Sequence, residues 1–300
     1  MQPVLAAMQD ILLAGALGRV VMHSAGAATQ MASLARLGRR LLWGLLLAQL
    51  IFLFNGAYLM AEPAWPQWLD AVWITVRHTA FGATVGLSVL LTACWLLAER
   101  IMAMGSSMAV RTAGTTGGAP THQAAILVAA VFLLALAYCR AATGHAADQG
   151  PLSRAAGVHA IHILAAGLWT GPVWVVLLLR PGWRDLTLAQ VRVQARRLSH
   201  AATIGVPVLV LTGALDAWRT LGPAEHWDST SYVWILSGKI GLMALAIVLG
   251  LRNRWYWMPR LAAGDTRACG GFFGVLVIEA CVLLGVMLLA GMLGQAMLPA

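Results

Sequence analysis

Charged side chains are scarce in this chain, and their scarcity excludes an ordinary soluble fold. Only 10% of the 300 residues are charged, whereas 60% are hydrophobic and the mean hydropathy is +0.78. A typical soluble domain carries about 25% charged residues. The composition therefore indicates an integral membrane protein, and the pattern of apolar segments leaves no stretch long enough for a separate soluble domain.

Cysteine and lysine are also few, and the sequence lacks the motifs of a cysteine-based metal site and of a nucleotide-binding site. The four cysteines show no close spacing, which gives no signal for a disulfide or a zinc site, and Lys239 is the only lysine. No GxxxxGK[ST] motif is present to bind a nucleotide. No nucleophile with a base and an orienting group is apparent. We therefore expect neither an ATP-driven pump nor an enzyme.

Apolar windows of roughly 20 residues, the length that crosses a bilayer as a helix, recur along the whole sequence. They predict an all-α bundle of about eight transmembrane helices in one transmembrane domain, residues 1–300. The third window is over-long, so we expect that helix to tilt or protrude. The first segment is expected to be retained because it lacks the features of a secretory signal, and residues 99–121 are expected to form a flexible loop. The predicted spans are residues 4–23, 40–61, 69–98, 122–141, 155–179, 198–219, 231–251 and 270–294.

Arginines are distributed unevenly among the loops. Most lie after the first, third, fifth and seventh predicted helices, whereas the intervening loops hold few and also carry acidic residues. Because basic residues favour the cytoplasmic side, both termini are predicted to lie on the periplasmic side. The net charge of +9 lies at membrane edges and forms no soluble basic face. We therefore expect lipid headgroups as its partner, and no nucleic acid.

Three histidines crowd the outer end of the fifth predicted helix, in the stretch GHAADQGPLSRAAGVHAIHILAAGLWTG of residues 144–171. His159 and His162 lie one turn apart on one face, about 6 and 10 Å below that end, and His145 lies in the preceding loop. Neutral imidazole suits copper, zinc, iron and nickel, and methionine thioethers prefer Cu(I). Simple packing of these side chains is the alternative. The predicted metal site comprises His145, His159, His162, His78, Met8, Met60 and Met292.

Several charged residues lie within the spans, where each costs at least ~2.5 kcal/mol unless it faces a partner or water. Lys239 and Glu279 lie about 12 and 13 Å along their helices from opposite sides of the bilayer. We therefore predict that they line one internal cavity, paired directly or through Arg77 or water; a fixed strut that stabilises the bundle is the alternative. The predicted polar pathway is Arg77, Asp216, Lys239 and Glu279, and a candidate inner station is His23, His122 and His200.

One set of residues between positions 144 and 290 follows the pattern of a known family. These residues are Gly144, His145, Ala146, His162, Ala165, Ala166, Trp169, Gly171, Arg197, Ser199, Thr212, Gly213, Trp218, Thr230, Tyr232, Lys239, Asn253, Arg254, Pro259, Arg260 and Glu279. Through them, residues 144–290 resemble the copper resistance protein D (CopD) family of bacterial inner-membrane proteins. Leu198, Pro172 and Val233 depart from the family pattern, and His159 is an addition to its usual single histidine in this helix.

The resemblance implies a multi-pass protein of the bacterial inner membrane that moves copper from the periplasm toward the cytoplasm. The methionine thioethers favour Cu(I), and a periplasmic copper-binding protein is a candidate partner. Two other functions stay open. One is a b-type cytochrome, in which His78 or His145 would supply the second axial ligand of a haem b. The other is an accessory protein that delivers copper without translocation.

Overall fold

The computed structural model describes residues 1–23, 28–62, 67–113, 119–144, 150, 152–180, 186–221 and 231–294, with side chains at 28–29, 105–113 and 119–122 left aside. Its elements are all helical. They are α1 (Gln2–Met22), α2 (Ala28–Ala61), α3 (Trp68–His78), α4 (Ala80–Ala113), α5 (Ala119–Ala141), α6 (Arg154–Leu179), α7 (Leu188–Leu221), α8 (Ser231–Arg252), a π-helical turn (Asn253–Trp257), α9 (Met258–Ala263) and α10 (Ala268–Leu293).

Over these described ranges, eight helical segments are long and apolar enough to cross a membrane. The prediction of an all-α bundle with eight spans is therefore confirmed, and the chain is a multi-pass membrane protein. The expected loop over residues 99–121 is wrong in large part, because α4 continues to Ala113 and α5 begins at Ala119.

The third predicted span is wrong as a continuous helix, because the chain breaks at Thr79. Thr79 has extended backbone angles (φ −124°, ψ 144°). Its hydroxyl donates to the Thr75 carbonyl at 2.7 Å and accepts from the Gly82 backbone N–H at 2.9 Å, which caps both helix ends at once. A Cβ on Gly82 would lie 2.2 Å from the Thr75 carbonyl oxygen, so only glycine permits this close turn.

Two other helices extend beyond their predicted spans for local reasons. At the start of α7, Thr187 and Gln190 exchange hydrogen bonds between side chain and backbone, a capping box that begins the helix ten residues before the predicted position 198. At the end of α8, the π-helical turn carries the chain into α9. Gly264 ends α9 with a left-handed φ of 97°.

The helices form two compact units, which we describe separately. The central unit comprises residues 39–160, and the terminal unit comprises residues 1–38 and 161–300. In the central unit, aromatic pairs and polar contacts join the helices. Trp95 stacks on Phe132 with ring centroids 5.8 Å apart, and Thr92 donates to Gln49 Oε1 at 2.9 Å. Such a hydrogen bond between helices stabilises their association in lipid.

The terminal unit is packed around α6. Gly167 and Gly171 of α6 meet Ala14 and Gly18 of α1 with no room for further side-chain atoms, and Gly205 of α7 packs on the α6 backbone in the same way. Small residues let helix backbones approach closely in a membrane, where apolar burial adds little attraction. This close packing places α1, α7 and α10 around α6, and these helices carry most of the candidate functional groups.

Candidate functional site

His162 faces α7 from the N-terminal half of α6. Its Nδ1 lies 3.0 Å from the Thr212 hydroxyl oxygen, and its ring also contacts Gly213, where a Cβ would lie 3.1 Å from Cε1. The Thr212 hydroxyl lies 2.7 Å from the Val208 carbonyl, to which it donates along α7. In the tautomer whose Nδ1–H donates to this hydroxyl, the lone pair of the neutral ring lies on Nε2. That tautomer is the one found in metal-binding histidines whose other nitrogen is held by a protein group.

Lys239 belongs to a charge cluster of three helices. Its ammonium interacts electrostatically with Asp216 of α7 and Asp10 of α1. Asp216 also forms a 3.8 Å ion pair with Arg219. Thr212 and Asp216 lie one helical turn apart on α7, so the cluster begins directly beside the His162 contact. The opposite charges of Asp10 and Asp216 act on the Lys239 ammonium and offset part of the cost of placing an ion within the membrane.

Glu279 lies at a different height along α8 from Lys239, so the two do not form a direct pair; a connection through Arg77 or water stays a prediction. A Cβ on Gly238 would lie 3.6 Å from Leu289 Cδ1, whereas a Cβ on Gly250 would lie 3.3 Å from Glu279 Oε1. Lys239 and Gly250 are eleven residues apart on α8, which is about 16 Å along the helix. The depth estimate failed because the helical segment from Ser231 continues to Ala263, well past the predicted end at 251.

Glu279 is 4% exposed and accepts a 3.1 Å hydrogen bond from Trp169 Nε1. It forms no ion pair among the described residues. It lines a cavity of about 140 Å³ between α6, α7, α8 and α10, which we call the Glu279 chamber. Lys239 is not among its lining residues. Its polar lining is Trp169, Ser199, Thr203, Asn253, Arg254 and Glu279, and its remaining walls are apolar.

The Trp169–Glu279 hydrogen bond gives a direct mutational prediction. Trp169→Phe keeps the ring but removes the donor to a buried carboxyl group, and we expect it to lower the free energy of unfolding by about 1–3 kcal/mol. Trp174→Phe is the matched control on the same helix, because Trp174 Nε1 donates a longer 3.3 Å bond to a backbone carbonyl. Denaturant unfolding in detergent measures both. Equal losses in the two variants would contradict the special role of the Glu279 contact.

The other predicted metal residues are not brought together by the described part of the chain. Met8 and Met292 lie exposed on the terminal unit, and His78 and Met60 lie exposed on the central unit. His159 is half-buried on α6, and His145 lies outside the described residues. Among described residues, no group of three histidine, cysteine, aspartate or glutamate side chains forms a metal cluster. The complete predicted ligand set therefore stays a prediction.

The remaining pathway and inner-station residues also stay predictions. Arg77 lies exposed on α3 of the central unit, with its guanidinium 5.6 Å from the Trp73 ring centroid. His23 is half-buried and His200 is exposed, both on the terminal unit, and the His122 side chain lies outside the described set. His23 follows Met22, whose carbonyl accepts a 3.5 Å hydrogen bond from Arg197.

Sequence reasoning missed three features of this region. Asn253 is 5% exposed at the start of the π-helical turn, and Thr203 and Ser199 share a wall of the chamber. Thr212 and Asn253 carry part of the family resemblance, yet nothing in their spacing indicated a role. The one available signal was their polar chemistry within a predicted span or at its end, which in lipid calls for a partner.

Comparison with known proteins places the similarity in the C-terminal part of the chain. Residues 193–293 match the model of the family described as Copper resistance protein D. Copper transport protein CutJ of Bacillus subtilis (strain 168) is 32% identical over 123 residues, which are 40% of this chain and 22% of CutJ. Inner membrane protein YebZ of Escherichia coli (strain K12) is 30% identical over 125 residues, which are 40% of this chain and 41% of YebZ. No solved structure matches the chain.

Proposed function

We propose that this multi-pass membrane protein transports copper or maintains copper homeostasis in the bacterial inner membrane, because residues 193–293 match the copper resistance protein D family. The similarity to a copper transport protein, CutJ, and to an inner membrane protein, YebZ, supports the proposal. The observation that carries it is the His162–Thr212 contact in the N-terminal half of a membrane-spanning helix. When Nδ1 donates in this contact, the lone pair of the neutral imidazole lies on Nε2.

A histidine held in this way is suited to an exchangeable copper site. The hydrogen bond through Nδ1 fixes the ring orientation and raises the basicity of the ligating nitrogen. Transport requires coordination that is weak enough for release, and a few histidine and thioether ligands provide it. We assign His159, His145 and His78 as further candidate ligands, with Met8, Met60 and Met292 as thioethers suited to Cu(I). A periplasmic copper-binding protein would supply the ion.

The proposed path runs from the outer histidines toward the arginine-rich end of the bundle. Asp216 lies one turn of α7 from the His162–Thr212 contact, on the side away from the arginine-rich end, and Lys239 interacts with it electrostatically. Glu279 lies nearer the arginine-rich end, where Gly250 and Trp169 contact it. Arg77 is a candidate for the same path, and His23, His122 and His200 are candidates for an inner station. We propose movement along this path from the periplasm toward the cytoplasm.

Metal analysis with visible spectroscopy on detergent-purified protein tests the proposal. We expect bound copper in the wild type and, in the double variant His159→Ala/His162→Ala, a loss of affinity of roughly tenfold or more. Cys281→Ala is the control, because it removes an exposed soft thiol from α10 and should leave copper retention unchanged.

Three results would contradict this assignment. Unchanged copper stoichiometry and affinity in the double variant would indicate that the histidines contribute only to helix packing. A Soret band would identify a b-type haem protein instead. Copper binding with no histidine-dependent uptake into vesicles would indicate an accessory protein that delivers copper without translocation.

The direction of transport also rests on the orientation of the chain. Arginines are concentrated at one end of the spans, in the first part of α2, the last part of α4, the start of α7 and the region from Arg252 to Arg267. By the positive-inside rule this end is proposed to face the cytoplasm, with both termini in the periplasm. Fusions of reporter enzymes to each terminus measure this. Activity of a cytoplasm-specific reporter at either end would overturn the proposed orientation.

A further inference from the structure

We propose that Glu279 is a proton-binding site that exchanges its proton through the Glu279 chamber with the arginine-rich side of the membrane. The proton passes from hydronium in the chamber to a carboxylate oxygen of Glu279, which leaves water and a neutral carboxylic acid, and release is the reverse step. This inference does not depend on copper.

The chamber connects a buried carboxyl group with an exposed mouth. Glu279 lies at one end, where Trp169 donates to it. Arg254 lies at the other end, where it is exposed and donates to the Thr203 hydroxyl. Thr203 in turn donates to the Ser199 carbonyl at 2.6 Å. The lining is therefore continuous from the interior of the bundle to its surface, and a cavity of about 140 Å³ has room for several water molecules.

Asn253 independently indicates that this chamber is hydrated. Its side chain is 5% exposed and lines the chamber, yet neither Oδ1 nor Nδ2 has a hydrogen-bond partner among the described residues. Leaving one buried polar atom unsatisfied costs about 1–3 kcal/mol, so water is required to satisfy an amide of this kind. The π-helical turn that starts at Asn253 directs this amide to the chamber, and such turns are frequent at functional sites.

The charged groups around Glu279 favour a proton over a metal ion as its ligand. The residues that line the chamber include no histidine or cysteine, the side chains that most often bind copper. Neither α6 nor α7 contributes a titratable side chain to the lining. Other charged residues on elements near α10 lie outside the chamber; among them are Asp10 and Arg19 of α1, Lys239 and Arg252 of α8, Arg180, which lies over the Phe273 ring, and Arg260 of α9, which stacks on Tyr256.

Labelling with a hydrophobic carbodiimide tests this site, because the reagent couples to a protonated carboxyl group within the bilayer. The protein is placed in sealed vesicles of known orientation without copper, and the pH is set separately on each side. We expect labelling of the Glu279 peptide to follow the pH on the arginine-rich side and to fall roughly tenfold per pH unit once the group is mostly ionised. Glu279→Gln should lose this label.

A second pair of variants tests the route even if Glu279→Gln fails to fold. Ala202→Phe fills the chamber wall, and we expect it to abolish the response to pH on the arginine-rich side. Ile204→Phe, two residues along α7 on its exposed face, should keep that response. Labelling that ignores pH on both sides, or follows the opposite side, would overturn the inference. Copper retention in the same preparation is a separate readout, so failure of the copper proposal remains distinguishable.

Discussion

Gly171→Ala should prevent the terminal unit from reaching its native packing. A Cβ at this position would lie 1.9 Å from the Ala14 carbonyl oxygen and 2.9 Å from the Gly18 backbone nitrogen. Both obstacles are backbone atoms, so α1 must move away from α6 and lose its neighbouring contacts. Overpacking of this kind costs about 3 kcal/mol or more. Denaturant unfolding and gel filtration of fluorescently tagged protein after heating measure the loss.

Gly157→Ala is the matched control for this prediction. Gly157 lies on the same helix, and a Cβ there would meet nothing within 4 Å. Alanine favours a helix over glycine by up to about 1 kcal/mol, so this variant should be neutral or slightly more stable. Equal destabilisation of the two variants would show that the α1–α6 crossing does not limit stability.

Lys239→Met should lower the free energy of unfolding by about 3 kcal/mol, since it leaves the carboxylates of Asp10 and Asp216 without their shared ammonium group. Adding Asp216→Asn removes one uncompensated charge and should restore part of the loss. Arg219→Met is the control, because its 3.8 Å ion pair with Asp216 is 30% exposed at the arginine and should contribute at most about 1 kcal/mol. Denaturant unfolding in detergent compares the four proteins.

A double variant that is no more stable than Lys239→Met would contradict this account. So would a loss in Arg219→Met as large as that in Lys239→Met. Either result would mean that Lys239 acts through packing of its aliphatic chain and not through its charge.

The membrane spans could be predicted from sequence because a lipid environment selects helices by length and hydropathy alone. The exact helix ends could not. The break at Thr79 depends on one hydroxyl that bonds both α3 and α4, and the early start of α7 depends on the capping pair Thr187 and Gln190. Neither feature changes the average hydropathy of its window. Local hydrogen bonds therefore determine the exact helix ends, which the apolar pattern does not specify.

In the functional region, too, the sequence identified important residues but not the contacts that they make. Sequence chemistry singled out His162, Lys239 and Glu279, because polar groups within lipid are costly. Their partners depended on helix register. Glu279 meets Gly250 and Trp169, whereas Lys239 meets acidic residues on α1 and α7. Register follows from backbone contacts between helices, and a hydropathy profile contains no information on them.

The crossing of α1 with α6 has a consequence for the biogenesis of the protein. Gly18 meets Gly171, which the ribosome adds 153 residues later, and Ala7 meets Gly291, which follows it by 284 residues. At about 5–20 residues per second, the first of these gaps lasts roughly 8–30 s. During this interval α1 carries Asp10 and Arg19 without α6 or α10 beside it. The insertion machinery or the membrane surface must accommodate these two charges until the later helices are inserted. Helix α1 is therefore synthesised early but reaches its native packing late.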